Sequence, residues 1–292
     1  MTTAGPRDAH IADRGYRRYE GPRLGSAGAR RALYLASLQR ALGLRRRARY
    51  KIVPVLVAVM AYLPAAVFVG ASALIPDEVA EGLQVNYGDY YGFITAAILL
   101  FVAATVPDVL CSDRRTGMLG LYLAAPLTRD SYLAVKAAAV TTVIGIVTVG
   151  PPLLLLVGYS LVEAGPSWPT EGLTLLLRIV VAGLAVAVWY TALGMAISSL
   201  TDRRGLASAG IALGALGSAA VVGALVEGAD LSPWLRTFDL FNLPFEWSGR
   251  IYGEPGDFTE LATAPLFVAA LTWLAAAGIV VRTAYQKLTV TK

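Results

Sequence analysis

The sequence predicts an all-α, polytopic integral membrane protein with six transmembrane helices, on three observations. The first is a shortage of charge. Of 292 residues, 56% are hydrophobic and 15% are charged, and the mean hydropathy is +0.60; an average soluble domain carries about 25% charged residues. The second is the length of the apolar runs at 52–75, 91–109, 136–162, 173–200, 206–226 and 261–281. About 20 apolar residues cross a hydrocarbon core of roughly 30 Å, and a backbone in lipid must satisfy its own hydrogen bonds, so such runs are read as helices. The third is the placement of Lys and Arg. Six spans put both termini on one side, and of the 25 Lys and Arg residues all but Arg178, Arg236 and Arg250 fall on that side. Basic residues mark the cytoplasmic face, so both termini are expected in the cytoplasm and the chain in a plasma membrane.

The same asymmetry explains the pI of about 9.3. The basic residues flank membrane helices and suit anionic lipid, so no nucleic-acid partner is expected. Cys111 is the one cysteine, which excludes an intrachain disulfide. His10 is the one histidine; it lies outside the bundle, so neither a Ser-His-Asp triad nor a Cys/His metal site is expected. No Gly-x-x-x-x-Gly-Lys-Ser/Thr occurs, so the chain has no P-loop to cradle ATP. The polar, basic start and the length of the first apolar run also argue against a cleavable signal peptide.

Three regions are expected along the chain. Residues 1–28 form a basic tail rich in Gly, Pro and Arg. Residues 29–51 read as an interfacial amphipathic helix on the inner leaflet. In it Tyr34, Leu35, Leu38 and Leu42 share one face, Arg40 and Arg47 point away, and Leu33 and Leu44 interrupt the pattern. Residues 52–292 form the six-helix domain. The loop after the first span carries Asp77, Glu78, Glu81 and Asp89 without a Lys or Arg. In the third span, Gly150-Pro151-Pro152 removes backbone donors and predicts a kink. In the fifth, Gly210 and Gly214 form a GxxxG that allows close packing, within the bundle rather than at a dimer seam. Residues 227–260 hold Trp234, Phe238, Phe241, Phe245, Trp247 and Tyr252. That density of aromatics suits an external segment lying on, or dipping into, the outer leaflet.

Two ionisable residues stand at the ends of spans. Arg178, in the fourth, is read as snorkelling outward or pairing with Glu171, with contact to an anionic substrate as the functional alternative. Asp108, at the inner end of the second, is read as pairing with Arg114 or Arg115.

The most informative stretch is 111–130, Cys-Ser-Asp-Arg-Arg-Thr-Gly-Met-Leu-Gly-Leu-Tyr-Leu-Ala-Ala-Pro-Leu-Thr-Arg-Asp. It is too polar to span and too long for a turn, and its apolar cluster in a cytoplasmic connection suggests burial against a partner. An acidic residue, a Thr-Gly pair, a Leu-rich half-turn and then Pro-Leu-x-Arg resemble the coupling-helix region of ABC-2 type transporter permeases. Gly15-Tyr16-x-x-Tyr19-x-Gly21-Pro22-Arg23 is similar to the N-terminal signature of actinobacterial members. Asp113 stands where many relatives carry Glu. The resemblance implies a permease subunit of an ATP-driven transporter, mostly of the export kind, in a bacterial inner membrane. It implies that Asp113, Thr116, Gly117, Leu119, Leu121, Tyr122, Pro126 and Arg129 couple the chain to a separate ABC ATPase subunit. That partner would hold ATP and Mg, and this chain would hold no cofactor. A second permease subunit, identical or not, would complete the pathway. The rival classes are an ion-coupled secondary transporter, which would need buried mid-span acids or an inverted repeat, and a membrane-embedded assembly protein or enzyme, which would need convergent polar residues.

Overall fold

The computed structural model describes residues 21, 24–44, 47–75, 85–124, 126–254 and 256–288. The basic tail before Gly21, most of the Gly-Tyr signature and the loop acids Asp77, Glu78 and Glu81 lie outside them. Among the described residues there are helices and no strands. They are α1 (Gly25–Ala41), α2 (Ile52–Leu74), α3 (Tyr90–Arg115), α4 (Met118–Ala124), α5 (Arg129–Thr148), α6 (Gly150–Leu161), α7 (Thr170–Ser199), α8 (Arg204–Gly223), α9 (Leu243–Tyr252) and α10 (Thr263–Gln286). Short 3-10 turns lie at Ala48–Tyr50 and Pro233–Phe238, and a π-turn, Ala224–Gly228, extends α8.

Six helical runs are long and apolar enough to cross a membrane: α2, α3, α5 with α6, α7, α8 with its π-turn, and α10. The protein is therefore an all-α, multi-pass membrane protein. In α3 and the α5–α6 run, 56% of the apolar window is buried, against 17% in α2 and α10. The former make the core, and the latter leave most of their surface uncovered by the rest of the chain. Helix α7 packs on α3, α5, α8, α9 and α10 and is the hub of the bundle. Helices α3, α7 and α10 finish, and α2, α5 and α8 begin, at one end of the bundle. That end carries Arg114, Arg115, Arg129, Arg203, Arg204 and Arg282 and is called the basic end below.

Prolines open two of the spans, and tyrosines close them. The third span divides at Val149, as its Gly-Pro-Pro requires. Pro152 has no N–H for the Thr148 carbonyl, and the Tyr91 hydroxyl donates to that carbonyl at 3.0 Å. The Tyr62 hydroxyl donates to the neighbouring Ile146 carbonyl at 2.7 Å. In α2, Pro64 stands inside the helix. There the Tyr90 hydroxyl accepts from Ala65 N at 3.2 Å and donates to the Ala61 carbonyl at 2.6 Å. A hydroxyl thus bridges the Ala65 N–H and the Ala61 carbonyl, which stand four residues apart in the helical ladder. In lipid no water would satisfy these groups.

The two middle spans run farther toward the basic end than their apolar runs. The second continues to Arg115 and the third begins at Arg129. Sequence reading ended the one at 109 and began the other at 136 because charges start there. Within these extensions Asp113 and Lys136 are buried against each other, which offsets the cost of taking their charges out of water.

Helix α1 differs from the expected amphipathic face. Its buried residues are Leu33, Ser37 and Ala41, while Leu35 is exposed. Leu33, which interrupts the sequence pattern, is among them, and Arg40 turns inward to Asp113. The helix packs on α5 and α3, so its contact face is set by those helices rather than by the leucine count.

The aromatic segment after α8 folds back into the bundle. Leu240 N donates to Ser218 Oγ and its carbonyl accepts from Trp189 Nε1, both at 3.0 Å. The Thr237 carbonyl accepts from Trp273 Nε1 at 3.0 Å. Trp273 stands some ten residues past the start of α10, which places this turn about 15 Å below that helix end at 1.5 Å per residue. Helix α9 then climbs along α7. Phe245 packs beside Tyr190, and Trp247 lies edge-on to Trp189. Gly253, at φ 87°, ends α9 in the left-handed conformation.

Candidate functional site

The stretch 111–130 is built in three steps. Helix α3 ends at Thr116, and Gly117 follows at φ 71°, with open space where a side chain would be. Its glycine is required by backbone conformation, not by crowding. Helix α4 then occupies Met118–Ala124. Pro126 is exposed, Leu127 is buried, and Thr128 caps α5 in a reciprocal capping box with Ser131.

Helix α4 has two unlike sides. Leu119 is buried, whereas Leu121 is 63% exposed. Tyr122, half-buried, packs beside Tyr132, their rings tilted and their centroids 5.9 Å apart. Burial raises the Tyr122 phenol above its usual range, and the Asp113 charge adds to this.

Asp113 is not on the surface. Its side chain is wholly buried. One oxygen is held by the Arg40 guanidinium from α1. The other lies 2.7 Å from Lys136 Nζ and accepts from the Tyr132 hydroxyl at 2.9 Å, both from α5. Lys136 also donates to the Val109 carbonyl at 3.3 Å and lies over the Tyr122 and Tyr132 rings. Burial works against the charge of Arg40, but the Asp113 carboxylate more than offsets it and holds the guanidinium pKa above its ordinary value. A carboxylate out of water persists because two cations and a hydroxyl replace its solvation. The carboxylate therefore joins α1, α3 and α5 just before α4 begins.

The neighbourhood extends to the last helix. Tyr285 of α10 lies 6.0 Å from the Tyr132 ring, and the Arg114 guanidinium stands over it at 5.9 Å. Arg129 donates to the Gln286 and Leu288 carbonyls at 2.7 and 3.1 Å, where a cation complements the helix C-terminus. The Thr116 hydroxyl stays local, donating to the Ser112 carbonyl at 2.8 Å.

Of the remaining candidates, Asp108 and Arg178 take partners other than those expected. Asp108 pairs with Arg204 of α8 at 3.0 Å, rather than with Arg114 or Arg115. Arg114 instead meets Asp202 at 2.7 Å and the Ser199 carbonyl at 2.6 Å. Arg178 does not reach Glu171, which accepts from Ser167. It donates to the Tyr252 carbonyl at 2.5 Å and so caps the end of α9. Gly210 and Gly214 face Ile197 of α7: an added Cβ would lie 3.0 and 3.5 Å from that side chain. Cys111 is buried, its thiol donating to the Ser198 and Thr201 carbonyls.

At the opposite end, Asp89, Glu246, Glu254 and Asp257 line a cavity of about 230 Å³. Glu246 is paired with Arg250 at 2.8 Å, four residues on. Among the described residues, no group of three His, Cys, Asp or Glu could hold a metal.

Reading by sequence missed Arg40, Lys136, Tyr132 and Tyr285. One signal was present: Lys136 is the single charge between Asp130 and Glu163, and an isolated charge in an apolar run seeks a partner. No known family matches the chain, and no curated protein sequence matches it.

Proposed function

We propose that this chain is the permease subunit of an ABC-2 type transporter, driven by a separate ATPase subunit and working in export. The observation that carries the reading is the unlike treatment of neighbours at the basic end. Asp113 is fixed to α1 and α5, and eight residues on Leu121 stands exposed on a seven-residue helix. An exposed leucine on a rigidly rooted projection suits an apolar groove on a soluble partner. Motion imposed on α4 would pass to α1 and α5 through the Asp113 cluster and to α10 through Arg129. The bundle then supplies the pathway, with a second permease subunit, and the partner supplies nucleotide hydrolysis.

The test is Leu121→Arg in membranes that contain the candidate ATPase. The variant should reach the membrane in normal amount, since Leu121 is largely exposed, and lose ATPase association and transport. A guanidinium buried without a partner costs several kcal/mol, and each ~1.4 kcal/mol is tenfold in affinity. Unchanged pull-down and unchanged export would reject α4 as the coupling element. The purified chain alone should hydrolyse no ATP; robust turnover would reject the two-subunit reading.

A further inference from the structure

Between α5, α7 and α10 runs a groove of about 450 Å³, open along one side. Its walls include Leu133, Ala137, Ala192, Met195, Ala277 and Gly278. Only two charged residues line it, Asp130 and Arg282, and they meet at its mouth at the basic end, 3.3 Å apart. Their side chains are 64% and 62% exposed. At depth, the Thr141 and Thr191 hydroxyls lie 3.1 Å apart and spend their polarity on each other.

We propose that this groove holds one acyl chain of a glycerophospholipid, with the lipid phosphate on Arg282 and a primary ammonium of the headgroup on Asp130. The length fits. Thr141 follows Asp130 by eleven residues, about 16 Å of helix, and half of a roughly 30 Å hydrocarbon core is about 15 Å. A transmembrane helix of a second copy would need a seat running the full thickness, and would be about 10 Å wide. The groove runs half that depth.

The mouth selects the headgroup. Its two charges cancel, so an anionic headgroup that satisfies Arg282 meets the Asp130 carboxylate. A phosphate joined to a primary ammonium satisfies both, and the ammonium donates charge-assisted hydrogen bonds. A trimethylammonium has no N–H to donate.

The experiment is native mass spectrometry of the purified protein after equilibration with equal amounts of phosphatidylethanolamine, phosphatidylglycerol and phosphatidylcholine. Wild type should retain phosphatidylethanolamine in preference to both others. Gly278→Phe fills the groove, and a side chain added at Gly278 meets open space, so the fold should survive while retained lipid falls several-fold. Asp130→Asn should lower the preference for ethanolamine over glycerol headgroups about threefold, the scale of one half-exposed ion pair. Three results would overturn the proposal. One is equal lipid retention in Gly278→Phe and wild type. Another is a wild-type preference for phosphatidylglycerol or phosphatidylcholine. The third is loss of a dimer in Gly278→Phe with retained lipid unchanged, which would make the groove an interface between copies.

Discussion

The Lys136 ammonium lies 2.7 Å from the Asp113 carboxylate, with both side chains out of contact with water. Removing either one leaves the other with its desolvation cost and less attraction to offset it. Asp113→Asn should therefore destabilise the protein by about 3 kcal/mol, read as a lower midpoint in detergent thermal unfolding. Lys136→Met alone leaves Asp113 to Arg40 and Tyr132 and should cost less. The double variant Asp113→Asn with Lys136→Met should recover part of the loss. Additive losses would mean the pair is not coupled.

The hydrogen bond of Tyr91 at the break between α5 and α6 gives a second prediction. Tyr91→Phe removes the donor to the Thr148 carbonyl and should cost about 1 kcal/mol, the net worth of an ordinary hydrogen bond. Pro152→Ala restores a backbone N–H for that same carbonyl, so in its background Tyr91→Phe should cost markedly less. An equal cost in both backgrounds, by thermal unfolding, would show that the hydroxyl is not replacing the missing amide.

The legible and illegible parts of the structure divide on physical grounds. Spans are legible because lipid imposes one rule on every residue of a long run, and the Gly150-Pro151-Pro152 break is legible because proline lacks a donor whatever its surroundings. The pairing of Asp113 with Arg40 and Lys136 is not legible, because it joins residues far apart in sequence through a helix packing no local pattern specifies. Sequence distance misled in the same way at Asp108, where Arg114 is near in the chain and Arg204 is near in space. Glu246 and Arg250 could have been found, since the i, i+4 spacing puts them on one helical face. Leu121 and Leu119 look alike in sequence; only the seating of α4 separates them.

A pH effect is expected at the other end of the bundle. Burial, aided by Asp89, raises the Glu254 carboxyl above its ordinary value, although Gly88 N and Arg178 act the other way. A raised folded-state pKa favours the protonated form. Its contribution to stability is fully present below the unfolded glutamate pKa, about 4.3, and is lost as pH rises through the folded value. Glu254→Gln keeps an oxygen for the Gly88 amide at 3.0 Å and removes the charge. It should be more stable than wild type at pH 7 to 8, with the advantage vanishing toward about pH 4. A Tm difference that is flat with pH would refute this.

The proposed topology and the burial of Cys111 can be separated in one labelling series. Cys111 is 1% exposed and its thiol donates to two carbonyls of the neighbouring turn. Its position at the basic end therefore does not make it reactive. In the folded wild type a maleimide should label it slowly from either side, and quickly once the protein is opened in denaturant. In a Cys111→Ser background, which keeps a donor at that site, Leu121→Cys and Ser232→Cys both place a thiol on exposed positions at opposite ends. If the excess of Lys and Arg marks the cytoplasm, an impermeant reagent added to intact cells should label Ser232→Cys alone. Leu121→Cys should become labelled when the membrane is permeabilised. Labelling of Leu121→Cys in intact cells would reverse the topology and remove α4 from the reach of any cytoplasmic ATPase. Fast labelling of folded wild type would instead contradict the packing of Cys111 against α7 and leave the topology standing.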